Sequence, residues 1–440
     1  MLLKPTVREL LVLLRHLLRT AIMATVVYAI VAGTAVPVAA SNKVTVKGYY
    51  KSFFVAFDQS ACKGCGAESS QPTTGSVNNR LRLEGRLRLS NRIDFNLAYD
   101  LAPRVQDPGL FDETSFRGNV EPGSYRLTDL DRRLYPALSD TVGSFAVMHN
   151  LDRAVLTVKA SGFDVYIGRQ AIAWGSGHAI NPTDVFVPFN YGELDTEDRV
   201  GVDAVRVRVP LGFMAEIDAG YVFGDEGRFS RSAAYARTKF YVGRTDLSLM
   251  AVAFREHLLL GWDVTRPFGG AGFWMEGATV LLAALNEDEV DDGADYFRGS
   301  VGCDYSLWGG IYLFAEYHYN GPGARRTRDY LDNLSTAAYT DGGTFLMGRH
   351  YFVPGISIPA TPLLTVGGEA LVNLTDPSVL LVPGIDYSLA QDVYLAIGAY
   401  IGVGSSPRSS TNGSQADQVR WRSEFGGYPD MYYTSFRVYF

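Results

Sequence analysis

Long hydrophobic runs are missing from the 440-residue chain once residue 40 is passed, which excludes a helical membrane protein. Charge is sparse as well: Asp, Glu, Lys and Arg make up 20% of the chain, little for a soluble protein of this length. Lysine is scarce, with Lys43, Lys47, Lys51, Lys63, Lys159 and Lys239 alone beyond Ser41, so arginine carries the positive charge. Neither a Gly-X-Y nor a heptad repeat is present, which excludes a fibre, and a 47% hydrophobic content excludes a disordered chain. What is abundant is aromatic side chains and glycine: 26 Tyr, 24 Phe and 46 Gly. Tyr and Phe together outnumber Lys and Arg, a balance that favours aromatic-rich sheet surfaces.

Residues 1–40 read as a secretory signal peptide. Lys4, Arg8, Arg15 and Arg19 precede an almost wholly apolar stretch from Ala21 to Val36, and Val38-Ala39-Ala40 offers small residues for cleavage. The competing reading is a permanent N-terminal anchor. Residues 41–440 would then form a single exported domain with 36 Lys and Arg against 46 Asp and Glu, a net of −10. So acidic a chain is a poor nucleic-acid binder.

Three cysteines occur. Cys62 and Cys65 flank Lys63-Gly64 in a polar loop of an exported chain, which predicts a local disulfide. Gly66 stands where covalent haem attachment would need His. Cys303 falls in a strand-like run as a small packing residue. The histidines His149, His257, His318 and His350 lack metal-ligand spacing, so no metal and no cofactor is expected. Asp291-Asp292-Gly293 and Asp341-Gly342 read as solvent-facing turns rather than a Ca²⁺ site.

The dominant period after residue 43 is two. Between Asn79 and Leu101, Arg80, Arg82, Glu84, Arg86 and Arg88 alternate with Leu81, Leu83, Gly85, Leu87 and Leu89. After a Ser90-Asn91 turn, Arg92, Asp94, Asn96, Ala98 and Asp100 alternate with Ile93, Phe95, Leu97, Tyr99 and Leu101. Such a hairpin separates water from something apolar: a second sheet in a sandwich, or lipid around a barrel.

Loop lengths decide between the two. Eighteen strands are expected, near 44–57, 79–90, 92–102, 153–160, 163–171, 202–209, 212–223, 233–242, 245–256, 258–266, 271–284, 296–306, 310–320, 344–354, 362–373, 378–387, 391–403 and 430–440. Tight turns alternate with long loops, and every long loop follows an odd-numbered strand. An outer-membrane barrel imposes this asymmetry, with short periplasmic turns and long external loops; a sandwich does not. The expected fold class is therefore all-β, a transmembrane antiparallel β-barrel of about 16–18 strands. Residues 103–152 and 172–201 are long loops, candidates for a plug or a constriction. Tyr49, Tyr50, Phe53, Tyr221, Phe223, Trp262, Phe273, Trp274, Tyr317 and Tyr319 sit towards strand ends, as an interfacial girdle would.

The last strand places Tyr432, Thr434, Phe436, Val438 and Phe440 on one face. A terminal aromatic strand of this kind resembles the signal that the barrel-assembly machinery reads, with Tyr432, Phe436, Val438 and Phe440 as its side chains.

One segment carries a motif. Tyr166 to Arg199 reads YIGRQAIAWGSGHAINPTDVFVPFNYGELDTEDR and is followed by GVDAVRVRVPLG. Through Gly168, Arg169, Gln170, Trp174, Gly175, Asn181, Pro182, Thr183, Asp184, Phe186, Pro188, Arg199, Gly201, Val202, Asp203, Ala204 and Arg206, it resembles porin-like outer-membrane proteins related to the alginate-export and similar uncharacterised barrel families. The resemblance covers about an eighth of the exported chain and implies a pore in the bacterial outer membrane, without its cargo.

The expected function is a channel for small polar, mainly anionic, solutes, with outer-membrane lipid and the assembly machinery as partners. Arg80, Arg82, Glu84, Arg86, Arg88, Arg92, Asp94, Arg206 and Arg208 would line the pore. Glu193, Asp195, Glu197 and Asp198 would face them from an inward-folded constriction loop and set a transverse field. Two other readings compete: a sheath around an electron-transfer cytochrome, and a rim hydrolase. Gly175-Ser176-Gly177-His178 lacks the first glycine of a nucleophile elbow, because Trp174 stands there, so no enzyme is expected.

Overall fold

A backbone in lipid has to satisfy its own N–H and C=O groups, and a chain of period two does so only by closing its sheet. That closure is what forms. The computed structural model describes residues 44–58, 73–107, 110, 125–188, 191, 193–285, 294–410 and 418–440. Residues 1–40, expected to be a signal peptide, the Cys62/Cys65 pair and Asp291–Gly293 lie outside the described residues. The barrel strands are β1 Val44–Asp58, β2 Thr73–Ser90, β3 Ile93–Gln106, β4 Phe145–Lys159, β5 Asp164–Gln170 and β6 Val202–Pro210. They continue as β7 Ala215–Val222, β8 Ala233–Val242, β9 Thr245–Phe254, β10 His257–Phe268, β11 Ala271–Leu281 and β12 Tyr296–Ser306. The circuit ends with β13 Tyr312–Asn320, β14 His350–Thr361, β15 Leu364–Asn373, β16 Ser378–Ala390, β17 Val393–Val403 and β18 Asp430–Tyr439.

Each strand pairs antiparallel with its neighbours in the chain, and β18 pairs with β1 from Tyr49↔Tyr439 to Asp58↔Asp430. Phe440 and Gly48 exchange backbone hydrogen bonds of 2.8 and 2.9 Å, extending that seam to the last residue. A Cβ at Gly48 would meet the Arg82 carbonyl at 2.4 Å, so only glycine lets β2 approach there. The result is a closed, all-β, 18-strand antiparallel barrel.

The connections after even-numbered strands are two to five residues long, and all the long ones follow odd-numbered strands. Each expected strand is present, and the largest shifts of boundary fall in β2, β4 and β14. Strands β2 and β4 begin at Thr73 and Phe145, six to eight residues earlier than expected, because polar residues can continue a ladder whose inner face is wet. Strand β14 starts at His350 rather than 344, because the backbone of residues 344–349 is claimed from inside. Asn320 Nδ2 donates to the Leu346 and Gly348 carbonyls at 2.7 and 2.9 Å, and the Met347 N–H donates to Glu424 at 2.9 Å.

Polarity is inverted relative to a soluble protein. Leu83, Leu249, Leu260, Met275, Ile356 and Ile397 are exposed on the outer face, while Lys51, Arg82, Asp152, Glu276 and Glu316 are buried on the inner one. Tyr432 and Phe440 are exposed outward, and Met431 and Ser435 are buried on the opposite face of β18. Two sequence expectations fail here. Cys303 does not pack in a core; it lies exposed on the outer face of β12, next but one to exposed Val301. Tyr49, Phe53 and Trp274 do not join a lipid girdle, because their rings are buried inward, where Tyr49 and Trp274 donate to carboxylates.

An arginine placed on the outer face should reveal the lipid. Leu249→Arg, at the middle of β9, should cost about 2–4 kcal/mol in vesicle-reconstituted unfolding titrations. Arg88→Leu on the inner face should cost under about 1 kcal/mol in the same assay.

Candidate functional site

The site is the lumen and the loop that crosses it. After β5 the chain leaves the wall at Ala171 and returns at Val202, and its path is fixed by two carboxylates on the far side of the barrel. Glu276 of β11 accepts from the Ser176 and Gly177 N–H groups at 3.0 and 3.2 Å, and from the Thr183 N–H and Oγ1 at 2.8 and 2.6 Å. Glu316 of β13 accepts from the His178 and Ile180 N–H groups at 2.7 and 3.0 Å and from Trp274 Nε1 at 2.9 Å. A loop buried in a lumen cannot pair its amides with a ladder, and these carboxylates supply the acceptors instead. Arg298 of β12 does the complementary work for carbonyls, donating to Pro182 at 2.6 Å and Gly342 at 2.8 Å.

The motif residues build this crossing. Arg169 donates to Asp203 at 2.8 Å, Asp129 at 2.9 Å and the Leu151 carbonyl at 2.8 Å, tying both ends of the loop to the wall. Trp174 packs against Phe186 and Tyr235, with ring centroids 5.4 and 4.7 Å apart. Gly175 has φ +114°, and a Cβ there would meet Glu276 Oε2 at 2.7 Å. Asp184 pairs with Arg199 at 3.1 Å, and burial raises its carboxyl above the usual range. Every one of these contacts serves to hold the loop across the lumen.

The returning half of the loop docks on the opposite wall. Asp195 accepts from Lys51 at 2.7 Å and Arg80 at 2.9 Å; the two cations hold its carboxyl below the usual range although burial opposes them. Glu197 pairs with Lys51 at 2.6 Å and accepts from the Tyr439 hydroxyl at 2.6 Å. Asp198 accepts from Tyr49 at 2.6 Å and lies 3.7 Å from Arg82. Glu193 lines the cavity beneath.

The expected pore-lining residues therefore divide. Arg80 lines the open cavity. Arg82 faces inward but is sealed by Glu84 at 2.6 Å, Asp152 at 2.8 Å and Asp100 at 3.2 Å. Arg86, Arg88 and Asp94 cluster near the β2–β3 turn, with Arg86 2.9 Å from Asp94, and Arg92 is exposed in that turn. Arg206 and Arg208 pair with Asp218 and Glu216 at 2.5 and 2.6 Å. The His178 ring stacks on Trp274 at 3.9 Å, and its Nδ1 lies 3.2 Å from the Tyr312 hydroxyl. No cluster of three or more metal-binding side chains occurs among the described residues.

What remains open is a cavity of about 1590 Å³ between the loop and the walls, with Arg104 of β3 and Arg126, Asp129 and Arg132 of the loop from β3 to β4 on one side. Sequence reasoning missed Glu276, Glu316, Arg104 and Arg126. The signal for the first two was available: each is the lone acid of its strand, at an inward position.

Glu424, in the loop before β18, is a second kind of latch. Fully buried, it accepts from Tyr351 at 2.5 Å, Asn373 at 2.7 Å and the Met347 N–H, with no cation bonded to it among the described residues. Desolvation pushes its pKa up to about 7, with Asp376 adding to the rise. The folded state thus keeps a proton that the unfolded chain releases near pH 4.5. Stability from this group is complete below about pH 4.5 and is lost as pH rises to about 7. Melting temperature should fall over that window, and Glu424→Gln should flatten the fall. Glu276→Gln and Glu316→Gln should each weaken loop docking by about 1.5–3 kcal/mol, read as at least tenfold faster hydrogen exchange at 176–183.

Comparison with known proteins returns no matching family profile and no matching curated protein. Among solved structures, a triply substituted porin of Rhodopseudomonas blastica aligns at 11% identity and TM-score 0.43, covering 90% of this chain and all of that one. Pseudomonas aeruginosa OccD3 (OpdP) aligns at 9% identity and TM-score 0.49, covering 90% and 91%. The barrel assignment rests on this chain's own strand pairing, which closes at eighteen strands.

Proposed function

We propose that the protein is a porin-like channel of the bacterial outer membrane, passing small polar solutes with a preference for anions. The observation that carries this reading is the open cavity inside a wall whose outer face is apolar. The cavity's charges are unevenly placed. Arg80, Arg104, Arg126 and Arg132 line its β2–β4 side against Asp129 and Asp195, and both acids are bonded to arginines. Across from them Asp184, Glu193 and Glu369 stand with Arg199 and Arg298. Four cations against two acids on one side make a positive surface in a confined, low-dielectric space, where fields act further than in bulk water.

The crossing loop favours a channel over a sheath. It occupies the middle of the lumen, where an enclosed cytochrome would have to sit, and it is bonded to both walls.

Planar-bilayer recordings in a KCl gradient should give a reversal potential on the chloride side. Arg104→Ala with Arg132→Ala should cut the chloride-to-potassium permeability ratio by about threefold. An unchanged ratio would remove the basic side as the selectivity element.

A further inference from the structure

The cavity is split by polarity as well as by charge. Going round the barrel from β15 to β1, its wall is mainly apolar: Leu371, Leu380, Tyr400, Met431, Phe53 and Phe57 in order, with Glu369 of β15 as an acid at the near end of the arc. Phe425 and Tyr428 reinforce this arc, and Tyr191 and Leu194 of the crossing loop pack onto it. The next strands round the circuit, β2 and β3, and the loop from β3 to β4 carry the arginines. An apolar arc therefore abuts a basic arc within one continuous space.

A lumen meant only for hydrated ions has no use for inward aromatics. Apolar side chains facing water in a channel bring no hydration or charge compensation, and unlike the inward apolar residues of β8–β11, which pack under the crossing loop, those of this arc border the open cavity. Such an arc stabilises a solute only if the solute has apolar surface of its own.

The basic arc holds a fixed guanidinium at the edge of the same space. Arg126 is 3% exposed; its Nε donates to the Gly201 carbonyl at 3.0 Å, and its Nη1 donates to Asp129 at 2.6 Å and Asn150 at 2.8 Å. Its Nη2 is buried without a hydrogen-bond partner among the described residues. A guanidinium fixed on two sides holds its positive charge in place beside the cavity. Arg104, Arg132, His149 and Asn78 border it in the cavity.

From these two arcs we infer that the channel's preferred solutes are amphiphilic organic anions: a carboxylate head against Arg126 and Arg104, and an aromatic or aliphatic body against the Phe57–Tyr400 arc. The inference rests on the channel reading and narrows it to a substrate class. At about 1590 Å³ the space exceeds the ~300–1,000 Å³ of pockets that enclose a ligand, which suits transit with weak, oriented binding rather than capture.

Current block in planar bilayers tests it on the intact channel, with 3-phenylpropionate, gluconate and neutral 3-phenylpropanol as probes. The half-blocking concentration of 3-phenylpropionate should be lower than that of either other probe by about tenfold. Phe57→Ala with Tyr400→Ala should raise it about fivefold and leave gluconate unchanged. Arg104→Gln should raise it for both anions and leave the alcohol unchanged. Equal block by phenylpropionate and gluconate in an anion-selective channel overturns the amphiphile assignment and leaves the channel standing. Equal block by the acid and the alcohol removes the head subsite. A protein that inserts but carries no KCl current overturns the channel itself.

Discussion

The structure depends on one constraint: a sheet with hydrocarbon on one side can leave no backbone group unpaired at an edge. Closure through β18 and β1 meets it, and the seam is drawn out to the final residue by the Gly48–Phe440 exchange. Once the sheet is a cylinder, every second side chain points into a space that only water, other side chains or a folded-in segment can fill. The arginine-for-lysine composition follows from that geometry. A guanidinium keeps its charge and its hydrogen-bonding fork when buried among carboxylates, as Arg82 does between Glu84, Asp100 and Asp152.

A folded-in segment raises a second problem, because thirty residues of loop inside a barrel bring amides that the wall's ladder cannot serve. Here inward side chains of the wall become their partners: carboxylates take N–H groups, and Arg298 and Asn320 take carbonyls. The loop thereby becomes part of the wall's hydrogen-bonding economy, bonded to β11–β13 by its outgoing half and to β1, β2 and β18 by its returning half. That arrangement leaves the cavity to one side of the crossing, where the two arcs meet.

Most of the wall was legible in the sequence, because period-two alternation and turn spacing are local properties. The Arg80–Asp100 hairpin could be read residue by residue, and the rule that long connections follow odd-numbered strands held, although β9–β10 and β15–β16 are joined by two and four residues. What was not legible was which inward charges stay accessible. Arg82 and Arg80 look alike in sequence, yet Asp152 seals one and the cavity reaches the other, and Asp152 sits seventy residues away. The motif from Gly168 to Arg206 was visible as a motif, but its purpose was not. Its residues serve the crossing, through partners such as Glu276 and Glu316 that lie a hundred residues downstream. Tyr49 and Trp274 misled for the same reason: aromatics near strand ends suit a lipid interface, and only tertiary context turned these two towards carboxylates inside.

The account stands on the inner face being wet and the outer face being in lipid. Single cysteines introduced in turn at Leu83, Arg86, Leu87 and Arg88, with Cys62, Cys65 and Cys303 replaced by serine, test this in reconstituted vesicles. The account predicts that a membrane-impermeant thiol reagent labels positions 86 and 88 and not 83 and 87, while lipid-borne spin labels quench a fluorophore at 83 and 87 alone. Labelling that ignores the alternation, or quenching at 86 and 88, would contradict it.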